Sequence, residues 1–153
     1  MRFLPRTMLQ EIGRTTATWS AIEQNLLIQA SAMHARDTDG WPTEYLRMDF
    51  KRLREKWWAQ VAVRYPKRDV DRVFNPLNSR LADASKTRGY MMHGKWNVDS
   101  PGVYSLEWWE QKSMLNRYSM TVTLSQMRAF NQSLDALFRD LLAATTEQEP
   151  ASA

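Results

Sequence analysis

The chain has no cysteine among its 153 residues. Disulfide bonds, thiolate metal sites and cysteine nucleophiles are therefore excluded, and a reducing compartment, the cytoplasm, is the expected location. Long apolar runs are missing as well, because no stretch approaches the roughly 20 apolar residues that a membrane helix needs. Glycine-rich phosphate loops and Ser-His-Asp patterns are not found. We expect no cofactor, no bound metal and no membrane partner.

Three potential metal ligands, His34, Asp37 and Asp39, lie close together in the sequence. Imidazole and carboxylate groups suit several divalent cations. The same residue types commonly cap a helix and form the turn that follows it, and this second interpretation is the one that we adopt.

Tryptophan and methionine are abundant, at seven and nine residues. Such side chains pack in a core or against a partner, so self-association into a homodimer is predicted. Two tandem pairs occur, Trp57-Trp58 and Trp108-Trp109. One member of each pair is expected in the core, and the exposed member, Trp58 or Trp109, is expected to stack on unpaired bases or to lie in a dimer interface.

Four segments repeat apolar residues every three or four positions, which is the spacing of one helix face. They predict α-helices over residues 8–33, 43–65, 75–93 and 124–144. Asn75-Pro76 is a typical helix start, and Gly94 is expected to end the third helix in a left-handed conformation. Thr123 and Gln126 fit a capping box for the last helix.

Between the third and fourth helices the period changes to two. Residues 104–109 and 117–122 alternate apolar and polar side chains, which predicts a small β-hairpin. The expected fold is all-α, a four-helix bundle with this hairpin inserted before the last helix. The bundle occupies residues 1–144, and the small, polar, acidic segment 145–153 is predicted to be a disordered tail.

Positive charge is concentrated between residues 46 and 72. This segment has nine basic and four acidic residues, a net charge of +5 in a chain whose total is +4. A basic face of this size can attract phosphate backbones, so Arg47, Lys51 and Arg54 are predicted to bind RNA. The alternative is an ordinary solvated helix face.

Arg88 stands where the apolar stripe of the third helix requires an apolar residue. Its neighbours on that stripe are Ala84 and Met91. A guanidinium at such a position is half-buried and needs a carboxylate, a carbonyl or a ligand phosphate. Glu23, beside the apolar stripe of the first helix, is the best candidate partner within the chain.

The segment from Lys86 to Trp96 resembles the Arg-x4–6-His signature of the HEPN superfamily, small helical bundles that include metal-independent ribonucleases of toxin and defence systems. An aromatic-x-x-x-Glu pattern on the first helix, here Trp19 to Glu23, and an extended Trp-containing segment after the motif are similar too. The resemblance implies that two copies form one RNA-cleaving cleft, with an antitoxin or another protein as a further partner.

The same resemblance implies a role for each residue of the motif. His93 would be the acid or base, because a histidine with a pKa near neutrality can move protons. Arg88 would clamp the phosphate and stabilise the charge that develops on it. Glu23 and Lys95 would support them.

Gly89 departs from the family pattern, because a polar residue usually follows the motif arginine. In addition, five helical positions leave Arg88 and His93 about 140° apart on a straight helix. They converge only if the helix bends or frays, or if a second subunit completes the cleft. Two alternatives therefore remain. Arg88 could pair with Glu23 while His93 caps its helix, or the domain could be a non-catalytic HEPN-like module that mediates homo- or hetero-oligomeric assembly.

Overall fold

The computed structural model describes residues 3–36, 40, 42–110 and 113–147. Four long helices and a three-stranded antiparallel sheet lie in these ranges, which confirms the mostly helical class. In chain order the elements are α1 (Arg6–Ala35), a 3-10 helix (Thr43–Arg47), α2 (Phe50–Arg64), α3 (Lys67–Asp69), a π-helical segment (Val70–Phe74), α4 (Asn75–His93), β1 (Lys95–Ser100), β2 (Val103–Glu110), β3 (Ser113–Thr123) and α5 (Leu124–Glu147). Within the described ranges, no helix combines the length and apolar character needed to cross a membrane.

The chain forms two compact units. The first contains Met1–Trp19 and Ala84–Asp135, and the second contains Ser20–Asp83 and Ala136–Ala153. The sheet belongs to the first unit, whereas α2, α3, the 3-10 helix and the π-helical segment belong to the second. Helices α1, α4 and α5 each contribute residues to both units.

The sheet of the first unit has the order β1-β2-β3, with both pairs antiparallel. The predicted hairpin is confirmed as β2 and β3, in which Tyr104 lies opposite Val122 and Leu106 opposite Met120. β1 was not predicted, because Trp96 and Val98 are too short an apolar alternation to indicate a strand. The inward side chains of the sheet pack with the helices in one core, formed by Met8, Met91, Tyr104, Leu106, Val122 and Met127.

Gly94 follows the end of α4 as predicted, but for a different reason. Its φ is not positive, and the described glycines with positive φ are Gly40 and Gly102. A Cβ atom at Gly94 would lie 2.5 Å from Leu106 Cδ1 and 2.5 Å from the carbonyl oxygen of Tyr90. The expected left-handed conformation is therefore wrong. Glycine is required here because the Tyr90 carbonyl of α4 and the Leu106 side chain of β2 together leave no room for a Cβ atom.

A buried polar cluster joins α1 to α5 within the first unit. Thr15 and Asn131 are both fully buried. The Thr15 hydroxyl donates to Asn131 Oδ1 at 2.6 Å, and Asn131 Nδ2 donates to the carbonyl oxygen of Glu11 at 3.0 Å and to its Oε2 at 2.7 Å. Because the Asn131 amide is bonded through both its oxygen and its nitrogen, the cluster holds the two helices in one register.

Asn131→Ala is expected to lower the free energy of unfolding by about 2 kcal/mol, because it removes the hydrogen bonds of the buried amide to Thr15 and Glu11 and leaves a cavity between the two helices. Urea denaturation followed by circular dichroism measures the change. The matched control is Gln132→Ala at the neighbouring exposed position, for which a change below about 0.5 kcal/mol is expected. Equal losses in the two variants would contradict a role of the cluster in fixing the helix register.

Gln29 connects three helices of the second unit. The Trp57 indole N–H donates to Gln29 Oε1 at 2.9 Å, and Gln29 Nε2 donates to the carbonyl oxygen of Leu141 at 3.2 Å. Trp57 is fully buried, and its ring meets that of Phe74 edge-on at 6.1 Å between centroids. Residues of α1, α2 and α5 are thereby held around one core.

The helix predicted over residues 43–65 is interrupted. A 3-10 helix comes first, and Asp49 is extended before α2 begins. The Asp49 carboxylate accepts a hydrogen bond from the backbone N–H of Arg52 at 2.9 Å, which makes it the N-cap of α2. Leu46, an apolar residue of the predicted helix, is 70% exposed, because it precedes the break and is out of phase with the apolar face of α2.

The other helix boundaries lie closer to the predicted ones. Asn75 is not an N-cap, because its φ of −63° and ψ of −45° are helical and the π-helical segment leads directly into α4. The capping box is confirmed, since Thr123 N donates to Gln126 Oε1 at 2.8 Å and Gln126 N donates to Thr123 Oγ1 at 3.2 Å.

The predicted disordered tail, residues 145–153, begins within a helix. α5 extends to Glu147, three residues beyond the predicted end, and the side-chain hydroxyls of Thr145 and Thr146 donate to the carbonyl oxygen of Leu142 at 3.4 Å and 3.3 Å. Residues 148–153 lie outside the described residues. So do Asp37, Thr38, Asp39 and Trp41 of the predicted turn after the first helix.

Candidate functional site

α4 places Arg88 on its apolar stripe, as predicted. Leu81 and Met91 on the same stripe are buried, and Arg88 is half-buried. Its Nε is inaccessible to solvent and has no hydrogen-bond partner among the described residues. A buried donor without an acceptor costs about 1 to 3 kcal/mol. The terminal nitrogens of this half-buried side chain are not enclosed in the same way, so Arg88 is the best-defined candidate for an anion contact.

Glu23, the predicted internal partner of Arg88, belongs to the second unit. It is half-buried and lines a cavity of about 350 Å³ together with Tyr45 and Phe50. Glu23 has no hydrogen-bond or ion-pair partner among the described residues, and the same is true of Arg88. The guanidinium is therefore not neutralised within the part of the chain that the structure describes.

His93 is the last residue of α4 and is exposed. The helix remains regular to this point, and the backbone N–H of Gly94 donates to the carbonyl oxygen of Tyr90 at 2.8 Å. Five positions on such a helix separate the Arg88 and His93 side chains by about 140°. The bend or fraying that would bring them together is not present, so one copy of the chain does not place both groups in one cleft.

Lys95 is the first residue of β1, two positions beyond His93, and it is exposed. It lies opposite Glu107 in the ladder, but Glu107 pairs with Arg117 of β3 instead. Among the described residues Lys95 therefore has no ion-pair partner. Its ammonium group and the His93 imidazole both face solvent at the junction of α4 and β1.

The junction of α4 and β1 is rigid because of Trp96. Its indole N–H donates to the carbonyl oxygen of Met91 at 3.0 Å, which satisfies one of the last carbonyl groups of the helix. The backbone between His93 and Lys95 is thus held by contacts on both sides, at Gly94 and at Trp96.

The basic segment, residues 46–72, lies in the second unit. Arg54 donates to Asn78 Oδ1 at 2.6 Å and is half-buried, so part of its hydrogen-bonding capacity is already used. The other two predicted RNA-binding residues, Arg47 and Lys51, are exposed. Five exposed cations of this segment have no ion-pair partner in the described ranges, namely Arg47, Lys51, Lys56, Arg68 and Arg72.

The described residues contain no group of three His, Asp or Glu side chains that could hold a metal ion. His34 lies beside Tyr45, with 5.4 Å between the ring centroids and 3.4 Å between Tyr45 Oη and His34 Nδ1. Asp37 and Asp39 fall outside the described residues, so the preference for a turn over a metal site stays a prediction.

The sequence reasoning missed an aromatic stack in the first unit. Trp108 lies between Tyr90 of α4 and Tyr118 of β3, at centroid distances of 4.3 Å and 5.8 Å and interplanar angles of 21° and 18°. The stack depends on the register that sets Trp108 opposite Tyr118. Spacing along the chain does not reveal that register, although the alternation of Trp108 with Trp109 indicates which of the two faces inward.

Trp109 is 55% exposed, as predicted for one member of its pair, and the Arg117 guanidinium lies 5.9 Å from the centre of its ring. Trp58, the other tryptophan predicted to be exposed, is only partly exposed, whereas Trp57 is fully buried. Trp109 is thus the tryptophan of these two pairs with the most accessible ring.

Comparisons of the chain with known protein families, with characterised proteins and with solved structures find no match. The similarity of residues 86–96 to the HEPN signature therefore stays a prediction.

Arg88→Met is expected to raise the free energy of unfolding by about 1 kcal/mol, because it removes a buried donor without an acceptor and keeps a flexible apolar stem on the stripe. Thermal and urea denaturation measure the change. A loss of 2 kcal/mol or more, about the effect of breaking a buried ion pair, would indicate that the guanidinium has an internal partner after all.

Burial raises the pKa of Tyr65 above its ordinary value of 10.0, and the positive charges of Arg36 and Arg64 partly oppose this shift. The unfolded phenol ionises first as the pH rises, so this group contributes stability below pH 10 that is lost above it. Tyr65→Phe should therefore lose less stability than the parent between about pH 9 and about pH 11, measured by urea denaturation. Equal losses of stability in Tyr65→Phe and in the parent would contradict a raised pKa of Tyr65.

Proposed function

We propose that the chain binds RNA through Arg88 and that two copies together cleave it without a metal ion. The observation that carries the proposal is the Arg88 guanidinium, whose Nε is desolvated and has no acceptor among the described residues. A phosphate group can bind the terminal nitrogens of a guanidinium through two parallel hydrogen bonds, and these nitrogens of Arg88 are not enclosed as Nε is. The HEPN-like spacing of Arg88 and His93 is what points to RNA as the source of the phosphate.

The proposed reaction uses the RNA's own nucleophile. The 2′-hydroxyl oxygen attacks the adjacent phosphorus, so the 2′-O–P bond forms and the P–O5′ bond breaks. His93 accepts the 2′-hydroxyl proton, and a protonated His93 from the second copy donates a proton to the departing O5′. Arg88 stabilises the negative charge that develops on the non-bridging oxygens.

A second copy is part of the proposal because of the helix geometry. Arg88 and His93 point about 140° apart on α4, so one phosphodiester is gripped by both only when two motifs face each other. Lys95 supplies an additional exposed cation two residues from His93. Glu23 keeps the supporting role that the resemblance implies. The same resemblance suggests that the protein acts in a toxin or defence system with an antitoxin partner.

The basic segment is proposed to hold the RNA backbone. Arg47 and Lys51 are exposed and free of ion pairs among the described residues, which makes them better phosphate contacts than the partly engaged Arg54. Contacts of this kind act through charge and release of counterions, so they raise affinity without reading the base sequence.

The test uses single-stranded RNA in EDTA with the parent chain and three variants. Arg88→Ala is expected to weaken RNA binding by about ten- to a hundredfold, the value of one or two charge-assisted hydrogen bonds. His93→Ala should retain binding but lower the cleavage rate by about 10² to 10⁴. Fluorescence anisotropy measures binding, and gel electrophoresis measures cleavage.

Lys86→Ala is the matched control, because Lys86 is an exposed cation on the same helix. It is expected to change binding less than about twofold, the effect of one screened surface charge. Unchanged RNA binding in folded Arg88→Ala would contradict the proposed contact, and cleavage that survives both Arg88→Ala and His93→Ala would exclude this site as the origin of the activity.

The alternative function is a non-catalytic module for assembly or RNA binding. It is favoured by the regular helix between Arg88 and His93 and by Gly89, which adds no polar side chain to the site. Salt-sensitive RNA binding without any cleavage would support a binding module. Absence of RNA binding, with stable capture of a second protein, would support an assembly module.

A further inference from the structure

The two edges of the sheet differ in how they are protected. β1 has six residues, contains the charged side chains of Lys95 and Asp99, and has a register shift between Val98 and Ser100 where it meets β2. Short length, charge and irregular pairing are the devices by which natural sheets prevent further strands from adding. β1 is therefore an edge strand that is protected against the addition of a further strand.

β3 at the other edge has none of these protections in its regular part. Arg117–Thr123 pair with β2 without interruption, and they contain no proline and no glycine. The one charged side chain, Arg117, is already paired with Glu107. No described residue pairs with the outer side of this strand, so its outward N–H and C=O groups are open to another strand.

The exposed side chains of β3 are apolar on one face. Tyr118 is 45% exposed and Met120 is 38% exposed, and both point to the side of the sheet that carries Leu106 and Trp108. An open backbone edge beside exposed apolar side chains is the combination that promotes strand addition.

We propose that a second copy of this chain adds at β3, antiparallel and centred on Ser119, so that the two sheets form one sheet of six strands. With this centre, Ser119 lies opposite its own copy, Tyr118 lies opposite Met120 of the second copy, and Arg117 lies opposite Thr121. Each exposed aromatic ring thus meets a thioether, a favourable pairing, and no cation faces a cation.

A second copy suits this edge better than RNA does. The outer side of β3 offers backbone hydrogen-bonding groups and apolar side chains, and its only cation is neutralised by Glu107. Strand addition uses such groups, whereas RNA binding requires free positive charge. The inference does not depend on the proposed function, because neither Arg88 nor His93 takes part in the pairing.

The test exploits the absence of cysteine from the chain. In Ser119→Cys, the paired strands place the two thiols directly opposite, at a Cα–Cα distance of about 4.5 to 5.5 Å, which a disulfide can span. Oxidation by copper phenanthroline, which removes two electrons and two protons from the thiol pair, is expected to yield a covalent dimer.

Thr121→Cys is the matched control, because Thr121 is exposed on the same face of the same strand. With the proposed centre, the two copies of residue 121 are about 14 Å apart and should not cross-link. A third variant, Ser119→Cys combined with Met120→Lys, is expected to lose the cross-link, because the new charge faces the apolar ring of Tyr118.

Analytical ultracentrifugation of the unmodified chain should show a dimer that dissociates on dilution, with circular dichroism confirming that every variant is folded. A monomer at all concentrations would overturn the proposal, as would cross-linking of Thr121→Cys at a rate equal to that of Ser119→Cys. These outcomes are separate from RNA binding by Arg88→Ala, so the failure of one proposal is distinguishable from the failure of the other.

Discussion

The hydrogen bonds of Asn131 are the constraint on which the first unit depends. Because Asn131 is fully buried, a shift of α5 along α1 would leave its amide oxygen and nitrogen unpaired in the interior. The register fixed in this way also sets Met8, one turn before Glu11, and Met127, one turn before Asn131, against the sheet. The sheet then packs on the end of α4, where the Leu106 side chain and the Tyr90 carbonyl oxygen leave no room for a Cβ atom at position 94.

Arg88 belongs to the same unit, but the burial of its polar atoms does not stabilise the fold. Asn131 is buried with partners, whereas the Arg88 Nε is buried and has none in the part of the chain that the structure describes. An apolar residue at position 88 would continue the apolar stripe of α4 without the cost of burying a polar atom. The stability of the unit therefore does not explain why an arginine is present there. Residues that lower stability in this way are typical of binding and catalytic positions, where function requires a group that packing disfavours.

The sequence reasoning was successful where a pattern is local and repeated. The four long helices, the Thr123 capping box and the half-buried position of Arg88 follow from spacing that the backbone imposes. It was wrong where a tertiary contact decides the outcome. Asp49 ends the 3-10 helix by capping α2, and β1 exists because β2 is beside it. For the site, spacing placed Arg88 and His93 on one helix, but it could not show whether an internal partner neutralises Arg88, since that depends on which residues meet in space.

The open edge of β3 and the open guanidinium of Arg88 make different demands on a partner. The edge needs a strand with matching backbone groups, which a second copy provides, and it is indifferent to charge because Arg117 is already neutralised. The guanidinium needs an anion, which no described side chain provides. A second copy joined at β3 alone would therefore leave Arg88 unsatisfied, and a phosphate bound to Arg88 would leave the edge open. Because neither partner satisfies the other requirement, the proposed strand pairing and the proposed anion contact are independent of each other and can be tested separately.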